Sequence, residues 1–543
     1  MDTTFNLLDY SILGIYAILL IGLGLWVSRT KKGQNKTAED YFLASKALPW
    51  WAIGSSLIAA NISAEQFIGM SGSGFAGGLA VAAYEFMAAL TLIIVGKYFL
   101  PIFIKQGIYT IPEFVEKRFS TNLKTILAIF WLALFVFVNL TSVLYLGGKA
   151  IDTIIGTGDG AIIVPAIIAL ALFSAAYSLY GGLSAVAWTD IIQVALLVVG
   201  GVITTLIALH YLTPEGGIFN GISHLSEVAG DKFDLVLSRD HKEYNNLPGI
   251  YVLIGGLWVA NLYYWGFNQY IIQRTLAAKS LKEAQRGIVF AAFLKMLIPF
   301  IVVIPGIIAW VMYSENIHNA QNAFEIANST ALNNDNAYPW LIKTFIPVGL
   351  KGLVLAALAA AIVSSLASML NSTSTIFTMD IYKPYINRTA PQTKLVSIGR
   401  LTAGIALIIA VLLAPMLGNI DQMFQYIQEY TGLVSPGILA VFLMGLFWKK
   451  ATNKGAIWGV LCSIPIALLF KFLPFEMPFM DQMFYTCLIS MVIIFMVSLS
   501  SCKTDDDAKA ISLTTDMFKT DKIFNLCAYI ICILLAFIYT IFF

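Results

Sequence analysis

Five charged side chains lie within long apolar stretches of this 543-residue chain: Glu65, Glu85, Asp190, Lys295 and Glu429. A charge near the middle of a bilayer costs at least about 3 kcal/mol, so such residues usually mark the path of an ion or a substrate. Pairing between these charges, which would hold helices together, is the alternative use for each of them. Both uses concentrate polar chemistry at these positions.

Two apolar stretches have the composition of helices that are interrupted near the middle. Asn61 and Gln66 lie at the centre of the first, followed by glycines, and Asn261 and Asn268 lie among aromatic residues in the second. Backbone carbonyls freed by such breaks coordinate cations in membrane transporters. We therefore predict two broken helices that contribute to one binding region.

Helical spacing adds oxygen and amide groups on three helix faces. Carbonyl and hydroxyl oxygens suit a hard cation such as sodium. Amides, a carboxylate, an ammonium group and an aromatic ring suit a sugar. The three faces are Ala59, Ile62 and Gln66 at i, i+3 and i+7; the serine stripe of Ala361, Ser364, Ser365 and Ser368; and Phe424 with Gln428 at i, i+4. Close packing of helices by small residues is the open alternative for the serine stripe.

Other kinds of chemistry find no support in the residue patterns. Residues 72–77 match G-x-G-x-x-G, but a membrane helix surrounds them and no strand precedes them. The five cysteines show no C-x-x-C spacing, and the four histidines are scattered. Basic residues form no patch apart from the membrane pattern. We therefore expect neither an enzyme nor a cofactor, and no nucleic-acid partner.

The elements that position these residues are membrane-spanning helices. Hydrophobic residues make up 59% of the chain and charged residues only 12%, against about a quarter charged in an average soluble domain. Each run of about 20 apolar residues can cross the bilayer as a helix, which satisfies its own backbone polar groups. The acidic N-terminal residues argue against a signal peptide. The fourteen predicted spans are 8–28, 50–70, 79–100, 124–150, 160–180, 185–211, 249–267, 284–313, 344–381, 397–416, 421–448, 454–473, 480–501 and 522–543.

The distribution of basic residues tests this topology. With the N-terminus outside, 25 of the 33 Lys and Arg residues fall in cytoplasmic connections, seven fall outside, and Lys295 lies within a span. Such an excess on one side is the signature of the cytoplasmic face. The sequence predicts a multi-pass protein of a bacterial inner membrane with both termini on the external, periplasmic side.

The two broken helices, in the second and seventh spans, lie five spans apart. Because five is odd, two repeats of five helices must be inverted relative to each other, and both breaks then meet at the membrane midplane. We predict a single transmembrane domain over 1–543. It has a leading helix at 8–28, a first repeat at 50–211, an inverted second repeat at 249–448 and three trailing helices at 454–543.

Long strings along these segments resemble the sodium/solute symporter family. The resemblance runs from about residue 26 to the C-terminus and implies a LeuT-like fold with sodium as the coupling ion. The strings include DYFLASKALPWW (40–51), LIAANISAEQFIGMSGSG (57–74), GIYTIPEFVEKRF (107–119), YGGLSAVAWTDIIQV (180–194), the segment 247–280, AALAAAIVSSLASMLNSTSTIFTMDIYK (356–383) and FQYIQEYTGLVSPGILAVF (424–442).

Matched residue by residue, the resemblance implies four groups of site residues. The sodium ligands are the carbonyls of Ala59, Ile62 and Ala361 and the hydroxyls of Ser364 and Ser365. The sugar-binding groups are Gln66, Glu85, Asn261, Lys295 and Gln428, with Tyr264 as the inner-gate ring that stacks on the sugar. The hydrophobic outer gate is Met70, Tyr84 and Phe424, and Tyr263 and Trp265 flank the inner gate. Asp190 lies on the sodium exit route.

The chain departs from the sugar-transporting pattern at a few positions. Ala88 stands where a member of the family has a serine in its sugar site, so one hydroxyl contact is missing. Phe135 replaces a tyrosine that we place near the outer gate, and Ser45 replaces a glycine. Galactose remains the expected substrate, with glucose next, and the sugar preference is expected to be shifted.

Several other functions stay open at this stage. The same architecture serves sodium symporters of proline, a sialic acid or a polyol. An amide-rich set of polar groups favours a sugar, because an amino acid carrier needs a receptor for a carboxylate. A sensor should carry a soluble output domain, whereas a channel and a symporter look alike in sequence. The oligomeric state is not predicted.

Overall fold

Helices form all the regular secondary structure of the residues described here, and no strand occurs among them. The structure is a computed structural model that describes residues 5–29, 37–108, 110–156, 160–325, 332–418, 422–472, 477–501 and 506–543. Twelve helical runs in this part of the chain are long and apolar enough to cross a membrane. They are Leu7–Val27, Glu65–Gln106, Thr121–Ile155, Ile163–Gly181, Leu183–His210, Leu281–Ser314, Leu350–Ile386, Gln392–Leu417, Met423–Phe447, Asn453–Lys471, Phe479–Ser501 and Lys522–Ile541.

We number fourteen helices α1 to α14 in chain order. Two of them, α2 and α7, are interrupted, and the run Glu65–Gln106 contains both the second half of α2 and the whole of α3. Helix α2 consists of α2a, Trp50–Asn61, and α2b, which comprises Glu65–Met70 and Ser71–Gly77. Helix α3 follows, from Ala83 to Gln106. Helix α7 consists of α7a, Gly256–Phe267, and α7b, Gln269–Leu276. The other crossings take the bounds given above in order. The two predicted breaks are therefore confirmed. Twelve runs of the described residues qualify as spans by length and composition, and they agree with the predicted fourteen when Glu65–Gln106 is divided between α2b and α3 and the shorter α7 is added.

Helix boundaries differ from the prediction at α7 and α9. Helix α7 continues nine residues beyond the predicted end at 267, because the break at Asn268 is followed by a second half. Helix α9 begins at Leu350 rather than 344. Residues Ala337–Phe345 form a separate helix, and Pro347 and Gly349 (φ 87°) interrupt the path between them.

Helix α9 forms the centre of the bundle. In its apolar window 94% of the residues are buried, against 17% in the windows of the peripheral helices α1 and α14. Small residues make this burial feasible, because Ala, Ser and Gly let neighbouring helix backbones approach closely. The predicted small-residue stripe of α9 therefore packs against other helices along its length and also carries the candidate ion ligands.

The connection between α5 and α6 is a tight turn at Gly182. Its φ of 68° is left-handed, and a Cβ at this position would lie 2.3 Å from the Tyr41 carbonyl oxygen. Only glycine satisfies both conditions without strain. A turn this short leaves no room for a loop, which explains why no Lys or Arg follows the fifth span.

The connection from α6 to α7 and the connection from α8 to α9 cover the same end of the bundle. In the first, Lys232 Nζ donates hydrogen bonds to the carbonyls of Phe75 and Ala76, at 3.1 and 2.6 Å, and so caps the end of α2b. In the second, an Asp335 oxygen accepts the backbone N–H of Met423, the first residue of α11, at 3.1 Å. Both loops therefore bind helix ends that border the candidate site.

Candidate functional site

The break in α2 is held open by the side chain of Gln66. Ile62 adopts an extended backbone (ψ 109°), which ends α2a. The side-chain amide oxygen of Gln66, Oε1, accepts the backbone N–H of Ser63 at 2.9 Å, and the Ser63 hydroxyl accepts the backbone N–H of Glu65 at 3.0 Å. Donors released by the break are therefore satisfied locally, as buried backbone groups require.

The break in α7 lies at Asn268, whose backbone is extended (ψ 121°) between α7a and α7b. Asn261 lies two turns earlier and donates to the Leu257 carbonyl of its own helix at 3.2 Å. The aromatic residues Tyr263, Tyr264 and Trp265 occupy the last turns before the break. The helix thus presents these rings next to the point where it changes direction.

A cavity between α2, α3, α7, α8, α11 and α13 brings the predicted sugar residues together. It holds about 530 Å³ of atom-free space, of which about 50 Å³ can be reached by the centre of a water molecule. Its walls must therefore separate to admit a hexose. All the residues predicted for the sugar and the gates line it: Gln66, Glu85, Asn261, Lys295, Gln428, Tyr264, Met70, Tyr84, Phe424, Tyr263 and Trp265. Ala88, the position that lacks the serine, also lines the cavity.

An ion pair occupies one wall of the cavity. Lys295 Nζ donates to a Glu85 carboxylate oxygen and lies 5.1 Å from the centroid of the Trp265 ring. Both charged side chains are almost completely buried. Such a pair is costly to break, because removal of one partner leaves an uncompensated buried charge. Lys295 thus combines the two uses considered for it: it pairs with a carboxylate and it faces the cavity.

A second carboxylate in the cavity was not among the residues predicted for the sugar. Glu65 accepts a hydrogen bond from the Gln428 amide at 3.2 Å and is buried. Asn61, Thr431 and Ser435 also line the cavity and were not assigned to the sugar. The sequence could have indicated Glu65 and Asn61 as cavity residues, because both lie in the polar centre of the predicted broken helix.

The predicted outer-gate residues form one aromatic cluster. The Tyr84 and Phe424 rings meet edge to face with centroids 5.0 Å apart, and both residues are at the second position of their helices. Met70 is buried and faces the same cavity. An edge-to-face aromatic pair of this kind is a stable contact between two helices.

The predicted inner-gate ring is tied by its hydroxyl group. Tyr264 Oη accepts a hydrogen bond from Asn61 Nδ2 at 2.9 Å and one from the Tyr270 hydroxyl at 2.7 Å. Phe135 packs edge to face on Tyr270, with centroids 5.4 Å apart. The placement of Phe135 near the outer gate is therefore wrong, because Tyr270 connects it to the inner-gate group.

The predicted sodium ligands Ser365 and Ala59 lie together where α2a ends beside α9. The Ser365 hydroxyl donates to the Ala60 carbonyl at 3.0 Å and lies 3.4 Å from that of Ala59. The Ser364 hydroxyl donates to an Asp190 oxygen at 2.5 Å. Ile62 and Ala361 are fully buried. We call this region the serine junction; Ser364 links it directly to the predicted exit residue Asp190.

Arg274 was missed at the serine junction. It was counted as a residue of a cytoplasmic connection, but it lies in α7b and is fully buried. Its guanidinium group is 3.6 Å from Asp190, donates to the Ser56 carbonyl at 3.0 Å, and donates to the Ser368 hydroxyl. Recognition of α7b as a continuation of the broken helix would have placed this charge in the membrane.

Glu429 does not face the cavity. It pairs with Lys471 at 2.9 Å, and both side chains are about one-third exposed. The pairing alternative therefore describes this residue, which joins α11 to α12.

Comparisons with known proteins bear on this site. Residues 41–463 match the sodium:solute symporter family. A sodium/glucose cotransporter of Vibrio parahaemolyticus is 64% identical over 539 residues, which cover 99% of this chain and 98% of the relative. A sodium/myo-inositol cotransporter of Canis lupus familiaris is 33% identical and covers 86% of this chain and 67% of the relative.

Two solved structures have the same arrangement of helices. A sodium-coupled sialic acid symporter in a substrate-bound, outward-open state gives a TM-score of 0.78 at 25% identity and covers 91% of this chain and 98% of its own. The nucleobase-cation-symport-1 family transporter Mhp1 in a closed conformation gives 0.52 at 11% identity and covers 88% and 98%. The predicted LeuT-like fold is therefore confirmed.

Proposed function

Because this chain belongs to the sodium:solute symporter family, in which sodium is the coupling ion, we propose that it imports a hexose together with sodium by alternating access. Galactose is the first choice of sugar and glucose the second. The observation that carries the proposal is that every residue expected to bind or enclose the sugar lines one cavity. The 64% identical relative bears the name of a sodium/glucose cotransporter, which supports a hexose as the solute.

The proposed cycle assigns a role to each side of the cavity. Sodium binds at the serine junction, through the carbonyls of Ala59, Ile62 and Ala361 and the hydroxyls of Ser364 and Ser365, and favours the outward-open state. The sugar then binds between the broken helices, and the outer gate closes over it. Displacement of the Tyr264 ring releases the sugar inward, and sodium leaves past Asp190. The bond of Ser364 to Asp190 supports this route, since it joins the two positions.

The proposed coupling is energetically sufficient. Movement of one charge through 100 mV supplies about 2.3 kcal/mol, and a tenfold sodium gradient adds about 1.4 kcal/mol. At one ion per sugar, the sum of roughly 3.7 kcal/mol supports an accumulation of several hundred-fold. The proposed location is a bacterial inner membrane, with both termini on the external side. The excess of basic residues in the odd-numbered connections supports this orientation.

A polyol such as myo-inositol is the second candidate, since relatives at 32–33% identity carry that name. A polyol and a hexose both offer rings of hydroxyl groups, so the same amides serve either one. Sialic acid fits less well because its carboxylate would meet Glu65 and Glu85, with Lys295 as the one ammonium group among the described cavity residues. Proline raises the same difficulty.

The proposal is tested by sodium-dependent uptake into proteoliposomes that contain the purified protein. Labelled galactose, glucose, myo-inositol, proline and sialic acid are compared with and without a sodium gradient and a membrane potential. We expect accumulation of a hexose that requires both sodium and the gradient. Sodium-independent equilibration would indicate a channel instead, and preferred uptake of myo-inositol would replace the hexose with a polyol.

A further inference from the structure

A second cleft opens at the opposite end of the bundle from the two covering loops. It lies between the end of α3, the linker helix Ile111–Arg118 and the segment before α14. About 370 Å³ of it can be reached by the centre of a water molecule, so it is far more open than the sugar cavity. We call it the basic cleft, because its described lining includes Lys105, Lys117, Arg118 and Lys509 and no carboxylate.

Neighbouring carboxylates neutralise only part of this charge. Glu113 lies 3.2 Å from Lys117, and Asp507 lies 3.3 Å from Arg118. Glu116, which pairs with Lys124, also interacts electrostatically with Lys509, whereas Lys105 forms no ion pair among the residues that the structure describes. The positive charge is therefore available to an anion, particularly because side chains at the mouth are exposed to solvent: Lys117 is 40% exposed.

The lysine ammonium groups point into the cleft with capacity for further hydrogen bonds. Lys117 Nζ donates to the Gln106 carbonyl at 2.7 Å, and Lys509 Nζ donates to the Phe119 carbonyl at 2.9 Å. Lys105 Nζ lies 3.8 Å from the Met517 sulfur, a weak acceptor. Lys509 Nζ also donates to the Glu116 carbonyl at 3.3 Å, and Lys117 Nζ also pairs with Glu113. An ammonium group has three donors, so at least one donor of each lysine remains for a phosphate oxygen.

The surroundings of the cleft are those of a membrane interface. Lys105 and Gln106 end the membrane helix α3, and Tyr98 of the same helix packs on Phe518, with ring centroids 5.6 Å apart. Tyr98 is 38% exposed, and Lys97 lies over its ring. Aromatic and basic side chains of this kind are typical of the headgroup level of a bilayer.

We propose that the basic cleft binds the phosphodiester headgroup of an anionic phospholipid. Positive charge and apolar surface lie side by side here, since Phe114, Ile511 and Met517 line the same cleft. A free phosphate ion would use only the charge. An anionic phospholipid can contact both the positive charge and the apolar surface. Clusters of lysine beside a membrane helix attract anionic lipids.

Headgroup binding at this place would act on the linker helix, which connects three parts of the transporter. The Thr110 hydroxyl, just before the helix, donates to Asp380 of α9 at 3.0 Å, and the Ile111 N–H donates to Gln269 of α7b at 2.8 Å. Arg118 donates to the Gly445 carbonyl near the end of α11 at 2.8 Å. A lipid bound to Lys117 therefore contacts the element that joins the inner ends of α7, α9 and α11.

The test measures lipid retention by the purified full-length protein with native mass spectrometry. Phosphatidylglycerol is compared with phosphatidylcholine for the parent and for the triple variant Lys105→Gln, Lys117→Gln and Lys509→Gln. We expect affinity for phosphatidylglycerol to fall about fivefold for each lysine removed, while weak binding of phosphatidylcholine stays the same. The matched control replaces Lys449, Lys450 and Lys454 with Gln, which removes equal charge outside the cleft.

Equal retention of phosphatidylglycerol by the parent and the triple variant would overturn the proposal. So would an equal loss in the control, because the effect would then be one of net charge. Displacement by glycerol phosphate at the lipid's own concentration would identify a free phosphate as the ligand instead. If the triple variant does not fold, Lys105→Gln alone decides the matter, since its ammonium group contacts a sulfur atom rather than a helix end. The measurement needs neither sugar nor sodium, so its outcome is independent of the proposed transport.

Discussion

The sugar cavity and the serine junction use their polar groups in opposite ways. In the cavity, side chains from six helices surround space that can widen, and Lys295 and Glu85 form an ion pair along one wall. At the serine junction, the hydroxyl and carboxylate groups bind one another directly and are fully buried. The sugar cavity offers many hydrogen-bonding groups that can replace one another. The serine junction has few groups, and each is already bonded to another.

This difference predicts how each region responds to the loss of one atom. A sugar meets many hydrogen-bonding groups, so the loss of one lowers its affinity by a limited factor. A sodium ion is held by a handful of oxygens, so the loss of one removes a large part of the site. Substitutions at the serine junction should therefore reduce transport more than substitutions in the cavity.

Ser365→Ala should largely abolish sodium-driven accumulation of sugar while the protein still folds. The change removes one proposed ligand oxygen, and the small side chain leaves helix packing nearly intact. Uptake into proteoliposomes with an imposed sodium gradient measures the effect. Thr373→Val is the matched control, because the Thr373 hydroxyl donates to the Met369 carbonyl of its own helix, at 2.8 Å, and is no proposed ligand. Normal accumulation by the alanine variant would show that the sodium site lies elsewhere.

Lys295→Met should abolish measurable sugar binding and also lower stability, because it leaves Glu85 as an unpaired buried charge. Breaking such a pair costs about 3–5 kcal/mol. The double variant Glu85→Gln with Lys295→Met removes both charges, so it should recover stability but not sugar binding. Thermal unfolding and equilibrium binding of labelled galactose separate the two effects. Binding as tight as that of the parent would assign Lys295 a purely structural role.

Tyr264→Phe should release sugar inward faster and weaken its retention by up to about tenfold. The change keeps the ring but removes the hydroxyl that accepts from Asn61 and from Tyr270, and each such bond contributes about 0.5–1.5 kcal/mol. Efflux of preloaded sugar from proteoliposomes gives the rate. Tyr313→Phe, in a tyrosine that packs on Phe75 away from the gate, serves as the control. Unchanged efflux would mean that the hydroxyl bridge does not restrain the ring.

Ala88→Ser should tighten galactose binding by up to about tenfold, since it adds one hydrogen bond worth about 0.5–1.5 kcal/mol. Position 88 lines the cavity, so the new hydroxyl can reach a ligand there. Sodium affinity measured without sugar should stay the same. Discrimination between epimers at the contacted carbon should also rise. If neither sugar affinity nor epimer preference moves, the group at position 88 does not meet the ligand.

The membrane class, the long apolar helices and the two broken helices follow from the sequence alone. Apolar runs of about 20 residues leave little choice of structure in lipid, where each backbone polar group must bond within its own helix. Asn61 and Gln66 in the middle of such a run marked the break in α2, because polar residues there require a local partner. These signals are local, so one sequence sufficed to find them.

Which polar residues contact one another became clear from the packing of the helices. Glu429 and Glu85 look alike in sequence, but one forms a pair with Lys471 that is about one-third exposed and the other lies in the cavity with Lys295. Arg274 was predicted to lie in a loop, but it belongs to α7b and lies in the core beside Asp190. Phe135 was predicted near the outer gate, but it packs on Tyr270. The physical reason is that helix periodicity defines the faces of one helix, whereas the rotation and tilt that pair two faces depend on packing throughout the bundle.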